Sequence, residues 1–414
     1  MKADVVVLGA GMVGISAAIA LQKRGRSVAL VDRRGPAEET SYGNAGIIQR
    51  EAIEPYLFPR EWGKVLKYAF NRSPEAHLHW SALPSIGPWL YRYWRLSTSE
   101  TMKRGAAGML PIVSRSVAEH EELMTASGTT GLLRRTGYLR IYRTPAELEK
   151  AQADSEQQLE LYGVPFEGLD DAGVRRLEPH LQMKVAGGIF LPQPVSVSDP
   201  GALGQGYTKY FESIGGRFLE GDAGTIEERP GVWRVKTARG EIEAREAVVA
   251  LGPWSAKLLA KFGYRVPLGV KRGYHKHYRM KGNAGISRPI VDFERGYAMA
   301  PMTKGLRITT GAEFALADAP PTPVQLEKVE PFARELFPIG EPTEVEPWLG
   351  RRPCLPDMLP VIGKAPRHEG LWLDFGHQHL GFTLGPVCGR LLADLMTGAT
   401  PFTDPAPYRI ERFL

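Results

Sequence analysis

Gly9, Gly11 and Gly14 stand in the spacing G-x-G-x-x-G, and Asp32 follows 18 residues after the last of them. Between a strand and a helix, the first glycine permits a tight turn. The second lets the backbone approach a pyrophosphate, and the third lets helix and strand pack closely. The free N–H groups and the positive end of the helix then favour the phosphates. An aspartate at this distance accepts hydrogen bonds from ribose hydroxyls and disfavours a 2′-phosphate. The chemistry these residues suit is the binding of a dinucleotide.

The elements that must position them are legible on both sides. Val5 to Leu8 is an apolar run that leads into Gly9. Val13, Ala17, Ala18, Ala20 and Leu21 follow at helical spacing, Gly25 stops the helix, and Ser27 to Val31 is a second β-type run ending on Asp32. Ala247 to Leu251 runs into Gly252-Pro253 and a helix, a second strand–glycine–helix turn. Gly370 to Phe375, the turn Gly376 to Gly381 and a helix from Pro386 to Thr397 make a third. A nicotinamide cofactor would leave the two further turns without a ligand. One long dinucleotide, held from both sides, uses all three.

Between these pieces lies a different kind of chain. Arg33 to Arg50 is a loop in which Thr40, Ser41, Asn44, Gly43 and Gly46 offer hydroxyl and backbone donors. Residues 51 to 185 are mostly helical in pattern, with a long amphipathic helix over Gly105–Ser127, another from Pro145, and an alternating strand over Gly137–Tyr142. Aromatics crowd Tyr56 to Trp94, as core or as pocket lining. Asp199 caps a helix whose first residue is Pro200. Leu268–Met280 and Tyr297–Phe314 alternate like antiparallel strands. Parallel pieces at the ends and antiparallel pieces in the middle predict a second lobe inserted into the first.

The 414 residues, 43% hydrophobic and 24% charged, suit two or three globular lobes. No apolar run reaches the roughly eighteen residues of a membrane span, and the N-terminus reads as a strand, not a secretion signal. Cys354 and Cys388 form neither a disulfide framework nor a metal-ligand spacing, so no metal and a reducing, cytoplasmic setting are expected. The net charge of +6 comes from scattered basic residues with acids between them, which argues against nucleic acid as a partner.

Six segments, in order along nearly the whole chain, resemble the flavin-dependent D-amino-acid oxidase superfamily. They are Gly9–Gly14, Thr40–Gly46, Lys271–His275, Pro301–Phe314, Arg352–Asp357 and Gly376–Pro386. Within it the chain looks like bacterial D-amino-acid dehydrogenases, with glycine and sarcosine oxidases as more distant cousins. The resemblance implies an α/β fold with an α+β inserted lobe. A glutathione-reductase-like FAD-binding Rossmann domain would take residues 1–50, 187–260 and 345–414. A mixed antiparallel-sheet substrate domain would take 51–186 and 261–344.

It also implies non-covalent FAD. Gly9, Gly11, Met12, Val13 and Gly14 would meet the pyrophosphate, and Asp32 with Arg33 the adenosine ribose. Ser41, Asn44, Ala45 and Gly46 would line flavin and phosphates, and Ala250 and Gly252 the opposite side. Gly376, His377, His379, Leu380, Gly381, Phe382 and Thr383 would face the flavin pyrimidine, where a helix N-terminus stabilises negative charge. Arg352 matches the arginine that clamps a substrate carboxylate in two-pronged fashion, assisted by Tyr297 or Tyr274. His275 and His379 would tune substrate protonation.

The implied reaction is oxidative deamination of a D-amino acid by hydride transfer from Cα to flavin N5. It yields a 2-oxo acid and ammonia, or a cyclic imine from a cyclic imino acid such as D-proline or D-hydroxyproline. The electron acceptor would be a quinone, an electron-transfer partner or oxygen, with a cytoplasmic enzyme or one peripheral to the inner membrane. Two departures stand out. The second clamping arginine of glycine oxidases falls on His379, and His275 replaces the commoner serine after Tyr274, suggesting a differently shaped pocket. Cys354 is not at the flavin-linking position of sarcosine oxidases, which falls on Gly350. An oxygen-using glycine or sarcosine oxidase, or a flavoprotein subunit of a larger complex, are the alternatives.

Overall fold

Four consecutive apolar residues with no exposed face mark a strand covered on both sides. In the computed structural model, which describes residues 1–414, Val5 to Leu8 is that strand, each residue fully buried. The strand Lys2–Leu8 lies inside an eight-stranded sheet. Val28–Asp32 and Gly240–Val249 pair with it in parallel, and Arg217–Glu220 and Leu371–Phe375 extend the parallel core outward. Val232–Thr237 and Val361–Lys364 add antiparallel edges. Val5 and Val7 pack on one face, Val6 and Leu8 on the other. Each such side chain contributes roughly 1.5–3 kcal/mol by burial.

Two helices cover one face, Met12–Lys23 and Gly381–Thr397. They approach closely because glycines meet backbone: a Cβ on Gly389 would lie 2.6 Å from the Ala17 nitrogen. The third strand–turn–helix element is as expected, although its helix starts at Gly381, five residues before Pro386. Asp199 caps the helix Pro200–Ser213 by accepting from the Ala202 N–H at 2.9 Å. The expected helix over 105–127 is two, Ser99–Val113 and Ser116–Ala126. Pro111 sits in the first. Ser114 and Ser116 side chains donate back to the carbonyls of Pro111 and Val113, competing with helix continuation between the two.

The second sheet has eleven strands built around the twelve-residue strand Gly269–Met280. Trp348–Cys354, Gly305–Thr309 and Ala312–Phe314 pair antiparallel with it, Tyr297–Met302 follows, then Ile290–Asp292 and Tyr138–Tyr142. Its two faces alternate by residue parity. Leu139, Ile141, Tyr274, Ile290, Tyr297, Met299 and Ile308 close a core with the helix Val324–Leu336. The opposite face looks into the cavity between the sheets. By hydrogen bonding, Gly187–Leu191 and Trp348–Cys354 join this second sheet. Both segments had been expected in the cofactor domain.

A candidate active site between two sheets

A cavity of about 1830 Å³ runs between the sheets. That exceeds the roughly 300–1,000 Å³ of an ordinary ligand pocket and leaves room for a long cofactor with a substrate. Gly9, Gly11, Met12, Val13, Asp32, Arg33, Ser41, Asn44, Ala45, Ala250 and Gly252 line one end. Gly9 has φ +106°, and a Cβ there would lie 2.5 Å from the Ala250 carbonyl oxygen. Only glycine joins the first and second turns this tightly. Asp32 accepts from the Ala10 N–H at 2.7 Å and the Arg34 N–H at 3.1 Å. Burial raises its pKa, opposed by these amides. Ser41 Oγ accepts from the Met12 N–H at 2.9 Å, leaving its own proton free to donate. Arg33 stacks over Trp254, 4.5 Å from guanidinium carbon to ring centre.

The expected cofactor residues divide into lining and support. His377, His379, Gly381 and Phe382 border the cavity at the start of the Gly381–Thr397 helix. Gly14, Gly46, Gly376, Leu380 and Thr383 stand behind the wall. Gly14 leaves room for the Gly9 carbonyl, which a Cβ would approach to 1.8 Å. Thr383 Oγ1 accepts from the Gln49 N–H and donates to the Ile47 carbonyl, tying the helix start to the loop after Gly46. Cys354 also lines the cavity, and burial pushes its thiol pKa up, away from nucleophilic chemistry.

At the far end, strand pairing selects the residues. Arg352 pairs directly with Lys271, Gly350 with Gly273, and Trp348 with His275, so these six share the cavity side of the sheet. Arg352 donates to the Thr310 carbonyl at 3.0 Å and the Gly311 carbonyl at 2.7 Å. Its guanidinium lies over Gly273, where a Cβ would come within 2.7 Å of Nη2. Lys271 donates to the Tyr93 hydroxyl at 3.1 Å and sits 4.1 Å from that ring's centre. Neither cation has an acid within ion-pair distance: Arg352 is held by carbonyls and Lys271 by Tyr93. Burial lowers the Arg352 pKa. His379 stands beside them with Nε2 unpartnered, and burial, reinforced by Arg352 and Lys271, depresses its pKa to about 3. The imidazole is therefore neutral.

The three other expected catalytic residues are set apart from the clamp by parity and packing, although Tyr274 and Tyr297 also border the cavity. Tyr274 is one residue out of phase with Lys271 and Gly273, and points into the opposite core. Its hydroxyl accepts from Arg272 and the Thr322 N–H and donates to Glu313, so no valence remains for a substrate. Tyr297 packs in that same core near Asp292 and Arg143, yet it also borders the cavity, and its buried hydroxyl has no hydrogen-bond partner. His275 lies on the cavity side but is capped: it stacks on Trp348 at 4.9 Å and meets the Gly43 carbonyl at 3.3 Å. Burial and Arg307 depress its pKa to about 2. It shapes the loop that carries Asn44 and does not border the cavity. His275, His277 and Glu344 are close enough together to hold a metal. However, His277 already accepts from Arg307 at 2.9 Å and pairs with Glu344 at 2.8 Å, so neither nitrogen is free.

Residues absent from the sequence-derived site also border it: Lys271, Tyr56, Glu51, Tyr138 and Arg140. Lys271 was findable from parity with Arg352 once their strands were paired. Arg140 was signalled by a charge at an alternating position in an otherwise apolar strand.

A family model of FAD-dependent oxidoreductases matches residues 4–395. The chain is 32% identical to a D-amino acid dehydrogenase of Rhizobium johnstonii, over 99% of both chains. It is 33% identical to another from Cereibacter sphaeroides, over 99% of this chain and 95% of the relative. Glycine oxidase from Geobacillus kaustophilus shares the fold with a TM-score of 0.75 at 22% identity, over 100% of this chain and 99% of that one. The chain belongs to the FAD-dependent oxidoreductase family, as a flavoenzyme that acts on amino acids.

Proposed function

We propose that this flavoenzyme oxidises D-amino acids, binding the α-carboxylate between Arg352 and Lys271. The observation that carries this reading is a pair of adjacent, cavity-facing cations with no acid of the protein to neutralise them. Unpaired buried charge is costly, and a carboxylate ligand removes that cost. The D-amino acid dehydrogenases at 32% and 33% identity support the stereochemical choice. Gly9 to Gly14, Asp32 and Ser41 suit the adenosine and phosphate end of FAD, and His377 to Phe382 suit its ring end.

Bound FAD would supply the two-electron oxidation of the Cα–N bond, including acceptance of the Cα hydride at N5. The protein's contribution is placement. Arg352, fixed by two carbonyls, and Lys271, fixed by Tyr93, orient the carboxylate and so aim Cα. Neutral His379 accepts or donates a hydrogen bond without adding a third charge beside them. The substrate loses two hydrogens to give an imine, and water converts the imine to a 2-oxo acid and ammonia. A cyclic imino acid would stop at the cyclic imine. The differently shaped pocket that would favour a cyclic imino acid depends on His275, which is capped away from the cavity, so linear D-amino acids are the better-supported class.

The electron acceptor fits a membrane-held quinone or carrier better than oxygen. The helix Trp62–Ala69 buries none of its residues. Trp62 is 75% exposed and Phe70 59%, interleaved with Arg60, Lys64, Lys67 and Arg72. Exposed aromatics among basic residues suit an anionic bilayer surface. No helix is long and apolar enough to cross a membrane. The deciding experiment supplies D- and L-amino acids, glycine, sarcosine and D-hydroxyproline with a dye acceptor under argon, then in air. Turnover confined to D-amino acids, with little peroxide in air, supports the reading. Preference for glycine or sarcosine with stoichiometric peroxide replaces it with the oxidase alternative.

A further inference from the structure

The same cavity holds a further cation, Arg140, that the clamp does not use. Tyr138, Arg140 and Tyr142 alternate onto the cavity side of their strand, with Arg140 in register with Val291. Arg140 sits between the Tyr138 and Phe293 rings, 5.5 and 5.6 Å from their centres. Its Nε is buried with no hydrogen-bond partner. The acid nearest it is Glu51, whose Oε1 is 3.9 Å from Nη2, too long for a hydrogen bond. Glu51 is 2% exposed and bonded through Oε1 to Gln49, while Oε2 is buried and unpartnered. Tyr56 links this place to the clamp: its ring centre is 5.1 Å from that of His379, and it borders the same cavity as Arg140 and Glu51.

We propose that Arg140, Glu51 and Tyr56 form a second anion subsite, which takes the carboxylate at the end of a substrate side chain. The substrates favoured by this chain are then dicarboxylic D-amino acids. The inference rests on the reading that Arg352 and Lys271 bind the α-carboxylate. The chemistry of the donors selects an anion. A guanidinium offers paired N–H groups in carboxylate geometry, and the Tyr56 hydroxyl adds another donor. Burial raises the Glu51 pKa, against the opposing pull of Arg140, which favours the uncharged carboxyl beside an incoming anion. A neutral side chain leaves the buried Arg140 Nε without a partner, which is how such a site rejects it.

The FAD-loaded enzyme under argon decides the matter through the rate at which its flavin is bleached. D-glutamate and D-aspartate are compared with their near-isosteric amides, D-glutamine and D-asparagine. The acids are expected to exceed the amides at least about tenfold in kcat/KM, and Arg140→Met is expected to bring that ratio down to about one. Equal rates for acids and amides, or an unchanged ratio in Arg140→Met, overturn the subsite. Binding gives an independent arm: glutarate should perturb the flavin spectrum at lower concentration than butyrate, and equal affinities overturn the proposal. If no D-amino acid bleaches the flavin, the D-amino-acid reading falls, and glutarate against butyrate then decides the subsite alone.

Discussion

The two ends of the cavity are built in opposite ways. At the dinucleotide end the contacts are local: Gly9, Asp32 and Ser41 lie within one strand–helix–strand unit and its following loop, and backbone amides satisfy the acid. At the amino-acid end the contacts are long-range. Arg352 meets Lys271 across paired strands, His379 arrives from a turn, and Tyr93 and Tyr56 come from helical and loop segments hundreds of residues earlier. The first end carries its polarity in the backbone, where sequence change is constrained by shape. The second carries it in cations without a neighbouring acid, where one substitution changes the charge offered to the cavity.

Breaking the cation end should therefore cost most in catalysis. Arg352→Ala is expected to lower kcat/KM about a thousandfold while FAD stays bound, as seen by flavin absorbance, since a buried charged contact is worth several kcal/mol. Unchanged substrate affinity would remove the clamp. Breaking the backbone end should instead release the cofactor. Gly9→Ala forces a Cβ against the Ala250 carbonyl at a left-handed φ, and should cost roughly 2–3 kcal/mol with FAD lost on gel filtration. Asp32→Ala should weaken FAD retention about tenfold or more without altering the substrate preference of the reloaded enzyme.

Smaller effects sharpen the contrast. Lys271→Met is expected to raise KM about tenfold with less change in kcat, by removing one of two cations. Tyr274→Phe should leave KM nearly unchanged and lower stability by about 1–3 kcal/mol, because it strands the buried Arg272–Glu313 network. A large KM effect there would return Tyr274 to the substrate. Acid should also destabilise the fold through buried histidines. His120 and His275 are depressed to about 4 and about 2, chiefly by burial. Their unfolded pKa lies near 6.5, so the unfolded chain takes up protons first as pH falls. The stabilisation is complete above about 6.5 and declines by about 1.4 kcal/mol per pH unit for each group, down to its folded pKa. Tm measured from pH 7 to pH 5 should fall, and replacing His120 by glutamine should flatten the slope.

Much of the fold was legible because its signals are local. Val5 to Leu8 could only be a doubly covered strand, Asp199-Pro200 only a helix start, and the helix from Pro145 ends at Gly163 in the left-handed conformation that its sequence invites. What failed were inferences that needed neighbours. The break near Ser114 depends on serine hydroxyls choosing backbone carbonyls over water. Gly187–Leu191 reads as a strand in either sheet, and only its partner at Tyr138–Tyr142 places it.

The amino acids alone determined that this chain binds a dinucleotide with a free ribose, because glycine spacing and one acid act over a few residues of backbone. They also contained Arg352, Lys271 and Arg140, without showing which of their neighbours turn toward the cavity. That was decided by the tertiary structure. A side chain's face is set by strand parity, and parity has meaning only after the register with a distant strand is fixed. One residue of phase commits the Tyr274 hydroxyl to the Arg272–Glu313 network and leaves Lys271 on the face of Arg352, and no local sequence signal distinguishes the two.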